Sequence, residues 1–228
     1  PVVIEPAFAR FTALPQGQLR TELMAVADRA GVPVSDILVA DASRRTTTLN
    51  AYVSGFGPTR RIVVYDTVVT GIPQEETVMV AAHELGHVAA GDVVRTNALA
   101  ALWVAAAAAL AAAVARRAVG AEGAVVVLMA AMVSILAAPG ANAISRATER
   151  RADAFALDLA SNPAQIDAFA GLMRRVAVGN VSTLEAPGWA YQLFATHPLA
   201  PERIARARMA ALARGWVPPP SMVDTGTS

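Results

Sequence analysis

His83-Glu84-Leu85-Gly86-His87 is the stretch of this chain most able to do chemistry, and it matches the pattern H-E-x-x-H. On an α-helix, positions i and i+4 share a face, so both imidazoles can reach one ion. Glu84 beside them can hold a water and take its proton. The alternative is a surface helix with two unrelated histidines. The surrounding run, with Val78, Val80 and Ala81, is apolar, and such a helix would not bury two imidazoles without partners. The expected ion is Zn2+, one per chain, bound by His83 and His87.

Two histidines leave tetrahedral zinc short of a protein ligand. The extended pattern H-E-x-x-H-x-x-G-x-x-H would need its glycine at Ala90 and its third histidine at Val93, so it fails. Glu149, in Ser145-Arg146-Ala147-Thr148-Glu149-Arg150-Arg151-Ala152-Asp153, is the candidate third ligand. It follows the second of two apolar segments, and a hairpin would return it to the level of the first helix. Asp153 is four residues further, on the same helical face, and can accept the second ring N–H of a ligand histidine. Taken alone, Glu149 could equally pair with its neighbouring arginines on a solvated face. The third histidine is His197, in Thr196-His197-Pro198. A donor there could stabilise the oxyanion of a tetrahedral intermediate; alone, a histidine before proline is more often a loop residue.

The elements that must position these groups follow from the patterning. Leu19, Leu23, Met24 and Ala27 have helical spacing, stopped by Gly31. Three strand-like runs follow: 37–40, 48–53 and 61–65. Gly55, Gly57 and Pro58 between the last two predict a hairpin. A helix should start near Pro73, with Glu75 and Glu76 in its first turn, and carry the two histidines. Thr96 to Ala115 has no charge and is long enough to cross a bilayer; a second apolar body runs from Ala124 to Ala138. Arg116, Arg117, Gly120 and Glu122 lie between them. This predicts a transmembrane helical hairpin, against the alternative of a buried hairpin in a soluble bundle. After Pro139-Gly140 an amphipathic helix is expected, then one from Pro163, one from about Leu199 to Arg214, and a frayed tail beginning with the Pro218–Pro220 run.

The expected fold class is mainly α with a small β-sheet (α+β). The expected organisation is 1–95, the first half of a protease domain with hairpin and zinc helix; 96–139, the membrane hairpin; 140–216, its helical second half; and 217–228, a tail.

Composition narrows the function classes. Of the 228 residues, 55% are hydrophobic and 16% charged, whereas an ordinary soluble domain carries about 25% charge. A formal net charge of +1 supplies no basic field to recruit nucleic acid. With 0 Cys, disulfides, thiolate zinc sites and cysteine nucleophiles are excluded. The basic residues are all Arg and Ala is abundant, as in GC-rich bacterial genomes. The first residue is Pro1, not Met, which suggests a fragment or processed product, and no signal peptide is visible at its start.

The ordered set His83-Glu84-Leu85-Gly86-His87, then Ser145-Arg146-x-x-Glu149-x-x-Ala152-Asp153, then Thr196-His197-Pro198-x-x-x-x-Arg203-Ile204 resembles the HtpX-like and CAAX prenyl protease family of integral-membrane zinc metallopeptidases. Asn50-Ala51-Tyr52-Val53-x-Gly55-Phe56-Gly57 with Arg61–Thr67, and the lead-in Pro6–Phe11 with Leu14-Pro15-x-Gly17-x-Leu19-Arg20, look closer to the prenyl protease branch. The resemblance covers roughly residues 5–210. It implies a gluzincin-like zinc protease domain interrupted by the membrane hairpin. It implies that His83, His87 and Glu149 bind zinc, that Glu84 is the general base, and that Asp153 supports a ligand histidine. It further implies that His197 and Arg203 line the site, and that Asn50, Ala51 and Tyr52 form an edge strand along which extended substrate lies. Prenyl proteases of this type carry several spans before the region that this chain covers.

The expectation is therefore a membrane-bound zinc metalloendopeptidase acting on polypeptides, themselves membrane-associated, either like a prenyl protease or in membrane-protein quality control. The rival is a non-catalytic membrane scaffold or sensor with a structural metal site. Glu84 discriminates, because a structural site needs no base beside an open coordination position. A transporter is disfavoured by only two visible spans, the first without charge. Arg95, Arg146, Arg150 and Arg151 on the catalytic side outnumber Arg116 and Arg117 in the loop, which places the active site on the cytoplasmic side, at the cell membrane if the source is bacterial.

Overall fold

The structure, a computed structural model, describes residues 9–116, 122–179 and 185–222. Residues Pro6–Phe8 of the lead-in, Arg117 and Gly120 of the loop between the apolar segments, and the tail from 223 onward lie outside the described residues. The chain is mainly helical with a small four-stranded mixed sheet. It divides into two compact units. One draws on Pro1–Ala90, Arg150–Leu184 and Leu199–Ser228, the other on Gly91–Glu149 and Glu185–Pro198.

In the first unit the strands are β1 (Phe11–Ala13), β2 (Asp36–Ala40), β3 (Ala51–Ser54) and β4 (Arg61–Tyr65), in spatial order β1-β2-β4-β3. β3 and β4 form the expected antiparallel hairpin, with Tyr52 opposite Val63. Gly55 sits at φ 87°, and a Cβ there would fall 2.3 Å from the Thr59 carbonyl oxygen, so this corner accepts only glycine. β2 and β4 are parallel, joined through the sheet's short connections and β3. β1, three residues long, pairs antiparallel with β2 and has no counterpart in the periodicity of the sequence.

Helix α1 (Gln18–Arg29) and the one-turn α2 (Asp66–Gly71) flank the sheet. Helix α3 (Gln74–Ala90) begins just after Pro73 and stops where Gly91 takes φ 66°. Its residues Val78, Ala81, Ala82 and Leu85 are buried at i, i+3, i+4, i+7 spacing and face the core. The C-terminal part of helix α5 (Glu122–Leu159) repeats this with Ala152, Ala156, Leu157 and nearby Ala160. Helix α6 (Pro163–Gly179) adds Ile166, Phe169, Ala170 and Met173, and helix α8 (Ala200–Ala213) adds Ile204, Ala207 and Ala211. With Leu23, Val26, Ile37, Ile62 and Val64 these side chains, Ala152 apart, form one core. Each fully buried large apolar side chain contributes about 1.5–3 kcal/mol relative to exposure.

Glu76 does more than complement the dipole of α3. It is buried, and both its oxygens accept from Arg175 on α6, at 3.1 Å each. Arg174 and Arg208 donate to the carbonyls of Pro220 and Pro219. The proline run is thus tied down where fraying was expected, and Pro219 is buried.

The second unit contains helix α4 (Asp92–Ala115), the N-terminal part of α5, and the short helix α7 (Gly188–Phe194). α4 and α5 are each long and apolar enough to cross a membrane, and only 6% and 0% of their most apolar windows are buried. In a buried hairpin of a soluble bundle the same windows would be packed against protein, whereas here they are exposed among the described residues. Leu102, Val104, Val127, Ile135 and Leu136 all stand exposed. Ser134, the one polar side chain between Ala124 and Ala138, donates to the carbonyl of Ala130 at 2.8 Å and so needs no outside partner. α5 runs unbroken through Pro139 to Leu159, so the apolar segment and the stretch bearing Glu149 and Asp153 are one helix.

Candidate metal centre

His83 and His87 stand one turn apart on α3, with their Nε2 atoms 3.2 Å apart. Two Zn–N bonds of about 2.0–2.1 Å at a tetrahedral angle would separate such nitrogens by about 3.3 Å. The ring planes are 87° apart. Glu149, one residue before Arg150 on α5, completes a set of three ligand atoms that all lie within 4.8 Å of one another. Two imidazoles and one carboxylate are the donor types of an open zinc site, so the residues present fit a single metal ion.

Gly86 sets the approach of the two helices. A Cβ on it would fall 3.2 Å from Ala152 Cα and 3.2 Å from Phe155 Cδ1. α3 and α5 therefore touch nearly backbone to backbone at Ala152, whose neighbours in the helix are Glu149 and Asp153. The sequence shows a glycine inside the motif; its packing role requires the partner helix to be known.

Asp153 is fully buried, and its Oδ1 lies 3.0 Å from His83 Nδ1. A hydrogen bond across that contact would favour the tautomer in which Nε2 of His83 is free to bind a metal. Arg203 on α8 holds the same carboxylate from the other side, its Nε donating to Oδ2 at 2.7 Å and its Nη2 to Oδ1 at 2.5 Å. Burial pushes the Asp153 carboxyl up, but the hydrogen bonds from His83 and Arg203 outweigh it and hold the group below the usual carboxylate range. The structure thus brings Arg203 to the site through Asp153. Arg150, next to Glu149, is engaged by Glu202 on α8 at 2.6 Å.

His197 lies in the loop after α7. Its Nε2 is 3.9 Å from Glu149 Oε2, its Nδ1 is 2.9 Å from Thr196 Oγ1, and 63% of its side chain is exposed. It is beside the third candidate ligand and outside the set of three. Glu84 is half-buried on α3. β3 forms one edge of the sheet, with buried Ala51 and half-buried Tyr52. Asn50 immediately precedes it and accepts from the Tyr65 N–H at 3.0 Å.

Arg146 has a role that sequence reasoning missed. Only 2% exposed, it donates through Nη1 to the carbonyls of Tyr191 (3.2 Å), Gln192 (3.4 Å) and Ala195 (2.6 Å), and through Nη2 to Gln192 Oε1 (2.8 Å). Its guanidinium also stacks over the Tyr191 ring at 4.8 Å. One arginine therefore satisfies the C-terminal carbonyls of α7 and fixes the segment that leads to His197. The signal in the sequence was the first of three arginines following the apolar run, counted there only as a flanking charge.

Residues 13–211 match the model of Peptidase family M48. The chain is 28% identical over 221 residues, 91% of its own length, to an uncharacterized metalloprotease, YhfN, of Bacillus subtilis, and covers 51% of that protein. It is 44% identical over 88 residues to a CAAX prenyl protease 1 homolog of Oryza sativa subsp. japonica, covering 38% of this chain and 21% of the relative. A crystal structure of S. mikatae Ste24p superposes with a TM-score of 0.77 at 26% identity, over 90% of this chain and 52% of the other. The chain spans about half the length of the relatives it matches end to end, or less.

Proposed function

The chain belongs to Peptidase family M48, and on that premise we propose that it is a membrane-bound zinc endopeptidase that hydrolyses peptide bonds in membrane-associated polypeptides. The observation that carries this is the convergence of His83, His87 and Glu149 donor atoms within 4.8 Å, with Glu84 on the same helix. Zinc bound there would polarise the scissile carbonyl and acidify a water. Glu84 takes the proton from the attacking water and passes it to the leaving amine. Asp153 keeps Nε2 of His83 unprotonated, and Arg203 keeps Asp153 ionised and in place. His197, poised beside Glu149 in a loop, donates to the carbonyl oxygen as negative charge develops on it. The edge strand β3 receives an extended segment of substrate by backbone hydrogen bonds, which makes few demands on side chains. That suits both prenyl-protease-like processing and membrane-protein quality control.

The two exposed apolar helices support an integral-membrane protein, in the cell membrane if the source is bacterial. The excess of arginine around Arg95 and Arg146–Arg151 supports a cytoplasmic active site.

Metal analysis and peptide cleavage on the full-length protein, beside a Glu84→Gln variant, test the reading. Both proteins should hold one zinc ion per chain, and the variant should lose at least about 10² in hydrolysis. Zinc retained with turnover unaltered would sink the mechanism; zinc retained with no hydrolysis by either protein would favour a structural metal site.

A further inference from the structure

We infer that α7 rides on the bilayer surface, with Trp189 and Phe194 seated at the boundary between headgroups and acyl chains. The inference rests on the membrane-spanning reading of α4 and α5 and adds a third membrane contact, next to the catalytic loop.

α7 has an apolar side that stands exposed among the described residues. Trp189 is 67% and Phe194 71% exposed, and their rings stand 6.3 Å apart, edge to face. Leu193, four residues after Trp189, is exposed on the same face. A helix of seven residues does not hold such a surface in water without cause. Tryptophan in particular is enriched where a bilayer meets water, because its ring is apolar and its N–H is not.

The height of α7 along α5 is fixed by hydrogen bonds. Asn142 Nδ2 donates to the Leu193 carbonyl at 2.6 Å, and Arg146, one turn further on the same face of α5, clasps the carbonyls of Tyr191, Gln192 and Ala195. Asn142 is about 6 Å along the helix from Ala138, where the apolar body ends, and about 29 Å from Gly123, where the apolar helix begins. A hydrocarbon core is about 30 Å thick. The C-terminal end of α7 is thus pinned at the level where hydrocarbon gives way to headgroups. Arg146 lies about one helical turn beyond, where its charge is tolerated. A lipid surface fits both the aromatic face and its level. The same clasp carries the consequence for function: Ala195 to His197 follow directly, so the His197 loop is held at a set height above the membrane.

Single-tryptophan proteins in phospholipid vesicles test this. One retains Trp189 (W103F, W216F) and the other retains Trp103 of α4 (W189F, W216F), and zinc content checks that each is folded. The vesicles carry phosphatidylcholine brominated either near the headgroup end or near the middle of the acyl chains. Trp189 emission should be lost to the shallow bromines more than to the deep ones. Trp103 should be quenched by lipid bromines whatever Trp189 does. Trp103 quenched while Trp189 is untouched by either lipid, whether open to acrylamide or covered by protein, overturns the inference and leaves the membrane-spanning reading standing. Neither residue quenched overturns both.

Discussion

Asp153 presents one carboxylate oxygen, Oδ1, to Nδ1 of His83 at 3.0 Å, from a position with no solvent exposure at all. His83, a candidate metal ligand, is therefore in contact with a carboxylate shielded from solvent. Arg203 neutralises that charge with a two-pronged contact. Asp153→Asn keeps the shape but removes the charge that makes His83 a better donor and that Arg203 needs. Zinc affinity is expected to fall about 10–100-fold, as when other outer partners of metal ligands are lost. Competition with a chelator measures it, and an unchanged affinity would show that Asp153 only packs.

Gly86 tests the same geometry from the helix backbone. Gly86→Ala adds a methyl group 3.2 Å from Ala152 Cα, a backbone atom that cannot swing aside. α3 and α5 must separate by a few tenths of an ångström. The expected cost is about 1–3 kcal/mol of stability, with weaker zinc binding because Glu149 and Asp153 travel with α5. Thermal unfolding of the metal-free protein and chelator competition read the two effects separately. A variant as stable and as tight for zinc as the parent would mean that this close approach does not set the site.

Much of the site was legible because helices repeat. The i, i+4 pairs His83/His87 and Glu149/Asp153 could be placed on helix faces from spacing alone, and the hairpin from Gly55, Gly57 and Pro58. What could not be read lies in contacts between distant segments. Arg203 meets Asp153 across 50 positions and Arg175 meets Glu76 across 99, and no local pattern marks either pair. β1 and α2, at 3 and 6 residues, are too short to display a period, and α7 at 7 begins with glycine, a helix breaker. Arg146 looked like a solvated flanking charge because its partners, the end carbonyls of α7, belong to a helix the pattern did not reveal.

Acid should weaken the sheet end of the first unit. The Arg20 guanidinium beside Asp36, 2.6 Å away, lowers the Asp36 carboxyl below the usual carboxylate range, against a smaller opposing effect of burial. A depressed folded-state pKa means stability that is fully present above the unfolded value, about 3.9, and is lost as pH falls through the folded one. Asp36 is part-exposed, so the contribution is modest, about 0.2–1 kcal/mol. Asp36→Asn should be less stable than the parent near pH 7 and indistinguishable from it once Asp36 is protonated in both states. Denaturant melts across that range decide it; a difference that persists unchanged into strong acid would rule out the ion pair as its source.

His197 is the group whose role separates catalysis from metal binding most sharply. Its Nε2 sits 3.9 Å from Oε2 of Glu149, the third candidate metal ligand. Yet it lies outside the set of three converging donors, and its side chain is 63% exposed, so a loop residue, a donor to substrate and a metal ligand must be told apart by experiment. A donor that meets the carbonyl oxygen only as it becomes an oxyanion acts in the transition state more than in the ground state, and so acts on kcat. His197→Ala should keep zinc and fold, lower kcat by about 10²–10³, and leave KM nearly unchanged. A fourth zinc ligand would instead close the site, and its loss would cut metal affinity. A mere loop residue before Pro198 would leave activity where it was. Zinc content and steady-state kinetics on this one variant separate the three, and an unchanged kcat with full zinc would refute the donor role.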